Sequence, residues 1–156
     1  MQRCAVPARW ADRNYLEPDN MFVTCFYAIL EPESGNLSFA NAGHDLPYLR
    51  RGGDSEELRA KGMPLGLMPG MGYEVKEIVL DAGDSALFYS DGLVEAHEPK
   101  GEMFGFPRLR ALVAEHDEEG ALGDFLLEEL YSFVGEGWEQ EDDITLLTLR
   151  RSGPRI

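Results

Sequence analysis

Basic residues are scarce in this chain. Of 156 residues, 14 are Lys or Arg and 29 are Asp or Glu, a formal charge of −15. Nucleic acid needs clustered Lys and Arg against its phosphates, so no nucleic-acid partner is expected. An anionic membrane surface is disfavoured on the same ground. Cysteine is scarce too. Cys4 and Cys25 cannot build a disulfide framework or a CxxC metal site, and such usage fits a reducing, cytoplasmic compartment. Cys25 lies in an apolar run and is expected to be a buried small hydrophobe. Long apolar runs are missing: no stretch reaches the roughly 18 residues of a spanning helix, so no membrane insertion is expected. Met1–Pro7 lacks the apolar centre of a secretory leader. No G-x-S-x-G, Walker or HExxH pattern occurs.

What is present is unevenly distributed. Residues 81–143 hold 18 acidic and 3 basic side chains, whereas residues 144–156 hold 3 basic and none acidic. Two readings fit the acidic stretch: a solvated helical face, or a subset of carboxylates converging on a cation. The hydrophobic content of 44% is ordinary for a chain with a packed core.

Periodicity predicts the elements. Residues 1–16 suit a short helix interrupted at Pro7, and Glu17–Asn20 is turn chemistry. Met21–Leu30 is strand-like and apolar on both faces, so both faces are expected to be covered. Glu31–Asn36 is a hairpin turn into a strand at Leu37–Ala42. Gly43–Pro47 reads as loop, and Tyr48–Arg51 and Glu56–Arg59 flank a turn at Gly52-Gly53-Asp54. Lys61–Gly72 is Gly- and Pro-rich loop, Tyr73–Leu80 alternates as a strand, and Asp81–Asp84 turns into an apolar strand at Ser85–Ser90. Helical spacing then takes over at Pro107–Glu115 and Ala121–Val134, with Gly135 and Gly137 beyond the second helix. Ile144–Leu149 is a last strand. Strands, hairpins, two helices and a returning strand define an α+β chain, and strands covered on both faces suggest a layered sandwich.

Three constellations carry potential chemistry. Asp91-Gly92 follows a buried strand directly, so the carboxylate sits on a rigid support and the glycine admits a close neighbour. Asp142-Asp143 stands just before the last strand, in the same kind of place. Two strand-end carboxylates on adjacent strands suit a hard cation such as Mg²⁺ or Mn²⁺; the plain alternative for each is an ordinary turn or solvated acid. The third is Asn41-Ala42-Gly43-His44. His44 could act as a general acid or metal ligand, but no second His or Cys completes a site, which favours a hydrogen-bonding loop anchor. His97 and His116 lie among charged residues and are expected to be solvated.

Taken together, Met21-Phe22-Val23-Thr24, Asn41-Ala42-Gly43-His44, Gly62-Met63-Pro64-Leu65-Gly66, Gly83-Asp84, the run Ser90-Asp91-Gly92-Leu93-Val94-Glu95-Ala96, Phe104-Gly105 and Asp142-Asp143-Ile144-Thr145 resemble a family. It is the metal-dependent (protein phosphatase 2C-like) serine/threonine phosphatases, in their bacterial SpoIIE/RsbU-type branch. The order matches from about Asn14 to Arg150. The resemblance implies an α-β-β-α sandwich and two Mn²⁺ or Mg²⁺ ions bridged by a water that attacks phosphoserine or phosphothreonine. It implies Asp91 and Asp142 as metal ligands, with Gly92 and Asp143 beside the metal and no catalytic side chain beyond the ligands. It makes Asn41, Gly43 and His44 structural. The implied partner is a phosphorylated regulatory protein, of the anti-sigma-factor-antagonist type, in stress signalling.

One departure qualifies these expectations. The family's early Asp-Val-x-Gly-His-Gly-type motif, whose Asp bridges both metals, has no counterpart; Gly43-His44 is followed by Asp45. Residues 1–156 are therefore expected to form a single phosphatase domain lacking its N-terminal part, to hold divalent metal weakly, and to be inactive alone. Three explanations stand open: a fragment of a longer protein, which the intact aspartates favour; a natural short form serving as a non-catalytic docking domain; or completion by another chain. An incomplete sandwich would expose a strand edge, so self-association into a dimer is also expected.

Overall fold

A computed structural model describes residues 21–116 and 120–153. The helix expected over residues 1–16 and the turn at Glu17–Asn20 lie outside the described residues. The elements in chain order are β1 (Cys25–Glu31), β2 (Asn36–Ala42), β3 (Tyr48–Arg51), β4 (Asp54–Glu57), β5 (Lys76–Val79), β6 (Ser85–Tyr89), a 3₁₀ turn (Asp91–Leu93), α1 (Phe106–Glu115), α2 (Leu122–Val134) and β7 (Leu146–Arg150). The chain divides into two compact units, one of residues 21–44 and 59–80, the other of residues 45–58 and 81–153.

The first unit is a three-stranded antiparallel sheet in the order β1-β2-β5. Its inner residues are Leu37 and Phe39 on β2, both buried, with Phe26 stacked on Phe39 at 5.4 Å between ring centroids. The expectation that both faces of the first strand are covered is overturned. The strand begins at Cys25 rather than Met21, and Tyr27 and Ile29 are 46% and 40% exposed. Alternate side chains of a strand point to opposite faces of its sheet. Phe26, Ala28 and Leu30 take the half-buried face and leave Tyr27 and Ile29 on the open one. Apolar composition alone cannot tell such a strand from one enclosed on both sides. Cys25, expected to be buried, is half-buried for the same reason.

The second unit is a four-stranded antiparallel sheet in the order β4-β3-β6-β7. β6, Ser-Ala-Leu-Phe-Tyr, is one of its two inner strands and is buried except at half-buried Phe88. The β3–β4 hairpin turns on Gly52-Gly53 alone, so β4 starts at Asp54, two residues earlier than the sequence suggests. A two-residue hairpin loop of this kind needs φ > 0 at both central positions, and Gly52 and Gly53 take φ of 58° and 88°.

Both helices pack on this sheet, α1 against β3 and β4 and α2 against β7. α1 starts after Gly105 with Pro107 in its first turn and buries Leu109 and Val113, four residues apart on one face. α2 buries Leu122, Leu126, Leu130 and Val134 in one stripe and stops at Gly135, φ 78°. With Tyr48, Leu87, Tyr89, Leu93 and Phe104 these side chains form one core, each large one contributing about 1.5–3 kcal/mol on burial. His116, expected to be solvated, is 6% exposed: it caps α1 through its backbone N–H to Leu112 and lays its ring against Phe125 at 5.3 Å. The architecture is the expected α+β.

An ion pair between exposed Arg51 and buried Asp84 fixes the entry to β6. Arg51, at the end of β3, donates from Nε and Nη2 to Asp84 Oδ2 at 2.9 and 2.6 Å, and the Asp81 backbone N–H donates to the same oxygen at 2.8 Å. The hydrogen bond that Arg51 donates to Asp84, ahead of the Asp84 charge, raises the Arg51 pKa above its ordinary value. Asp84→Ala should lower the unfolding free energy by about 2–3 kcal/mol in urea denaturation. Asp81→Ala should change it by less than about 0.5 kcal/mol, because its carboxylate is exposed and 3.8 Å from Arg51. Equal losses in the two variants would contradict this account.

Candidate functional site

The antiparallel pairing of β6 with β7 runs from Ser85↔Arg150 to Tyr89↔Leu146. The end of β6 is thus next to the start of β7. The residues just past one end, Ser90-Asp91-Gly92, meet the residues just before the other, Asp142-Asp143. Of the seven residues the sequence singled out, four come together here: Asp91, Gly92, Asp142 and Asp143.

Asp91 opens the 3₁₀ turn, and its carbonyl accepts from the N–H groups of Val94 and Glu95, both at 2.9 Å. Its Oδ1 accepts from the Gly92 N–H at 3.1 Å. Asp142 repeats the pattern, its Oδ1 accepting from the Asp143 N–H at 2.7 Å. Both residues are solvent-exposed. Among the described residues, the second carboxylate oxygen of each takes no hydrogen bond. Gly92 is buried against the opposite loop: a Cβ on it would stand 2.7 Å from the Asp143 carbonyl oxygen and 3.3 Å from that of Asp142. No side chain fits in that space, which is why a glycine follows the aspartate.

Other contacts secure the loop before β7. Gln140 Nε2 donates to the Asp142 carbonyl at 2.7 Å, and His97 Nδ1 pairs with Glu141 Oε2 at 3.0 Å. His97 is therefore half-buried and paired rather than solvated. Ser90 makes three bonds across the gap: its N–H donates to Thr145 O at 3.1 Å, its hydroxyl donates to Asp143 O at 2.9 Å, and the Thr145 N–H donates to that hydroxyl at 2.9 Å. Sequence reading gives Ser90 no role. The available signal is its position, a hydroxyl residue where a buried strand ends and Asp-Gly begins. Beneath the strand end, Tyr89 stacks on Tyr48 at 5.9 Å, and burial, then Tyr48, pushes its phenol well above the ordinary tyrosine range.

The donor set suits a hard divalent cation in kind, carboxylate oxygens on rigid strand ends. Among the described residues, no three or more His, Cys, Asp or Glu gather as a metal-holding group. The carboxylate oxygens of Asp91 and Asp142 that take no hydrogen bond are the donors that could face a cation here.

Asn41, Gly43 and His44 belong to the other unit. Asn41 is buried and clasps the loop, its Nδ2 donating to His44 O at 2.8 Å while the His44 N–H donates to its Oδ1 at 2.7 Å. His44 Nδ1 and Thr24 Oγ1 are hydrogen-bonded at 3.1 Å, and Gly43 lies against Pro64. The Asn41 side-chain amide is satisfied at both ends by the His44 backbone, the arrangement of a loop anchor.

Comparisons with known proteins identify the family. A family model described as stage II sporulation protein E (SpoIIE) matches residues 9–152, and the chain belongs to that family, a family of protein phosphatase hydrolases. Protein IcfG of Synechocystis is 32% identical over 134 residues, covering 85% of this chain and 21% of IcfG. The phosphoserine phosphatase RsbU of Bacillus subtilis is 29% identical over 136 residues, covering 85% of this chain and 40% of RsbU. The phosphatase domain of SpoIIE from Bacillus subtilis, in a manganese-presoaked structure, shares the fold with a TM-score of 0.64 at 20% identity, covering 85% of this chain and 58% of that one. The chain thus spans well under half the length of these curated relatives.

Gly92→Ala should destabilise the protein by about 1–3 kcal/mol in urea, because a backbone carbonyl must move to admit the methyl group. Gly123→Ala serves as the contrast. Its Cβ would meet only Thr148 Cγ2 at 3.7 Å, inside α2, so it should be neutral or stabilising by up to about 1 kcal/mol. The same sign in both would remove the steric argument.

Proposed function

We propose that residues 1–156 belong to one protein serine/threonine phosphatase domain and that the β6–β7 strand ends contribute its metal site. The reading rests on one observation above others: Gly92 packs against the Asp143 carbonyl, so Asp91 and Asp142 ride on two segments in direct contact. When bound, Mn²⁺ or Mg²⁺ supplies charge neutralisation at phosphoryl oxygens and a more acidic water. Asp91 and Asp142 offer hard anionic oxygens to it, each with its other oxygen steadied by a neighbouring amide. Gly92 keeps the two segments close, and Asp143 adds charge beside them. The acidic setting of residues 81–143 raises the local concentration of cations, and bound cations reverse the sign that a phosphorylated substrate meets.

The substrate class is phosphoserine or phosphothreonine on a regulatory protein, in a cytoplasmic partner-switching pathway. Membership of the SpoIIE family and likeness to the phosphoserine phosphatase RsbU support it. The manganese soak of the SpoIIE domain supports divalent metal as the cofactor. No helix among the described residues is long and apolar enough to cross a membrane.

The test is hydrolysis of an aryl phosphate by the intact protein with and without Mn²⁺. Asp91→Asn and Asp142→Asn should each lower the Mn²⁺-dependent rate by about 100-fold or more. Asp124→Asn, on the exposed first turn of α2, should leave it within about twofold. Undiminished hydrolysis in both site variants would refute the assignment; no hydrolysis even when a segment carrying the family's early Asp motif is supplied would favour a non-catalytic docking domain.

A further inference from the structure

The end of the β6–β7 ladder holds a hydrogen-bond exchange that the proposed chemistry does not by itself require. In a regular antiparallel ladder, Ser90 and Thr145 would trade two backbone hydrogen bonds. The first is made, from Ser90 N–H to Thr145 O at 3.1 Å. The second is not. The Ser90 carbonyl is turned away to accept from the Leu93 N–H at 3.2 Å, because the chain enters the 3₁₀ turn that carries Asp91. The Thr145 N–H that loses this acceptor is taken by the Ser90 hydroxyl at 2.9 Å. The proton of that hydroxyl then goes to the Asp143 carbonyl at 2.9 Å. This is the carbonyl on which Gly92 packs.

One side chain therefore lets the strand end, the turn begin, and the opposite loop stay registered. We propose that Ser90 is the positioning residue of the site: through its hydroxyl it fixes the segment bearing Asp142 against the segment bearing Asp91. The proposal rests on the reading of Asp91 and Asp142 as metal ligands. The Ser90 hydroxyl hydrogen and an oxygen lone pair are committed to Asp143 and Thr145, so its role in this proposal is to hold the backbone. Gln140 and His97 also hold the loop, but at Asp142 O and Glu141. Neither tethers it to the residue from which Asp91 extends. Two ligands on separate segments bind a shared ion well only if the segments are held in register beforehand. Without the hydroxyl, the Thr145 N–H and Asp143 carbonyl lose their partner and the loop gains freedom that metal binding must remove.

Calorimetric titration of Mn²⁺ into the metal-stripped protein tests this without reference to turnover. Ser90→Ala should weaken Mn²⁺ binding by about tenfold or more. Ser90→Thr, which keeps the hydroxyl, should bind within about threefold of the unsubstituted protein. Should Ser90→Ala fail to fold, Ser90→Cys keeps the shape with a much weaker hydrogen-bonding group and should show the same weakening. If Asp91→Asn and Asp142→Asn lose Mn²⁺ while the Ala or Cys variant binds it as the unsubstituted protein does, the positioning role is overturned and the ligand assignment stands. If the aspartate variants bind Mn²⁺ unchanged, or the unsubstituted protein binds none, the ligand assignment falls and the positioning role with it.

Discussion

Antiparallel pairing has a geometric consequence: where one strand ends, its neighbour begins. β6 and β7 are paired from Ser85↔Arg150 to Tyr89↔Leu146, so the residues after Tyr89 and before Leu146 must share a place. Everything proposed about function depends on that ladder. Without it Asp91 and Asp142, far apart in sequence, have no reason to meet. The ladder stands because β6 is an inner strand, buried and bonded on both edges, to β3 and β7. Its entry is secured by Arg51 on Asp84, and its exit by Ser90 on Asp143 and Thr145.

The forces divide by place. The core under the four-stranded sheet is apolar and comes from side chains at helical spacing on α2 and from the inward face of α1. Burial there supplies the stability that a strand-end site spends when it keeps exposed carboxylates on adjoining segments. At the strand ends the backbone does most of the positioning. Each aspartate has one carboxylate oxygen fixed by the amide that follows it, and a glycine removes the side chain that would part the two segments. The acids are thus ordered before any cation arrives, which lowers the entropic cost of binding one.

Much of this was legible in the sequence. Leu122, Leu126, Leu130 and Val134 announce α2 by spacing alone, and the buried β6 is an unbroken apolar run closed by Ser90-Asp91-Gly92. Asp91 and Asp142 could be paired because each adjoins a strand that had to lie in a sheet. Other features were beyond a one-dimensional reading. The exposure of Tyr27 and Ile29 depends on one face of β1 being left open, which is a property of packing and not of composition. The burial of His116 depends on where α1 stops relative to Phe125. The function of Ser90 depends on its own carbonyl turning towards Leu93, so that a side chain must do the work of a backbone group. No residue pattern encodes that substitution; it follows from a strand and a 3₁₀ turn sharing one residue.

The central claim is that a divalent cation seats where β6 ends and β7 begins. Paramagnetic line broadening reads this directly: Mn²⁺ is added in substoichiometric steps to the isotopically labelled protein and backbone amide signals are followed by NMR. The account predicts that the amides of Gly92, Asp143 and Thr145 broaden first, while those of Asp124, Glu128 and Glu129 on the acidic surface of α2 persist. Broadening that begins on α2, or that spreads evenly over the acidic residues with no preference for the strand ends, would contradict it.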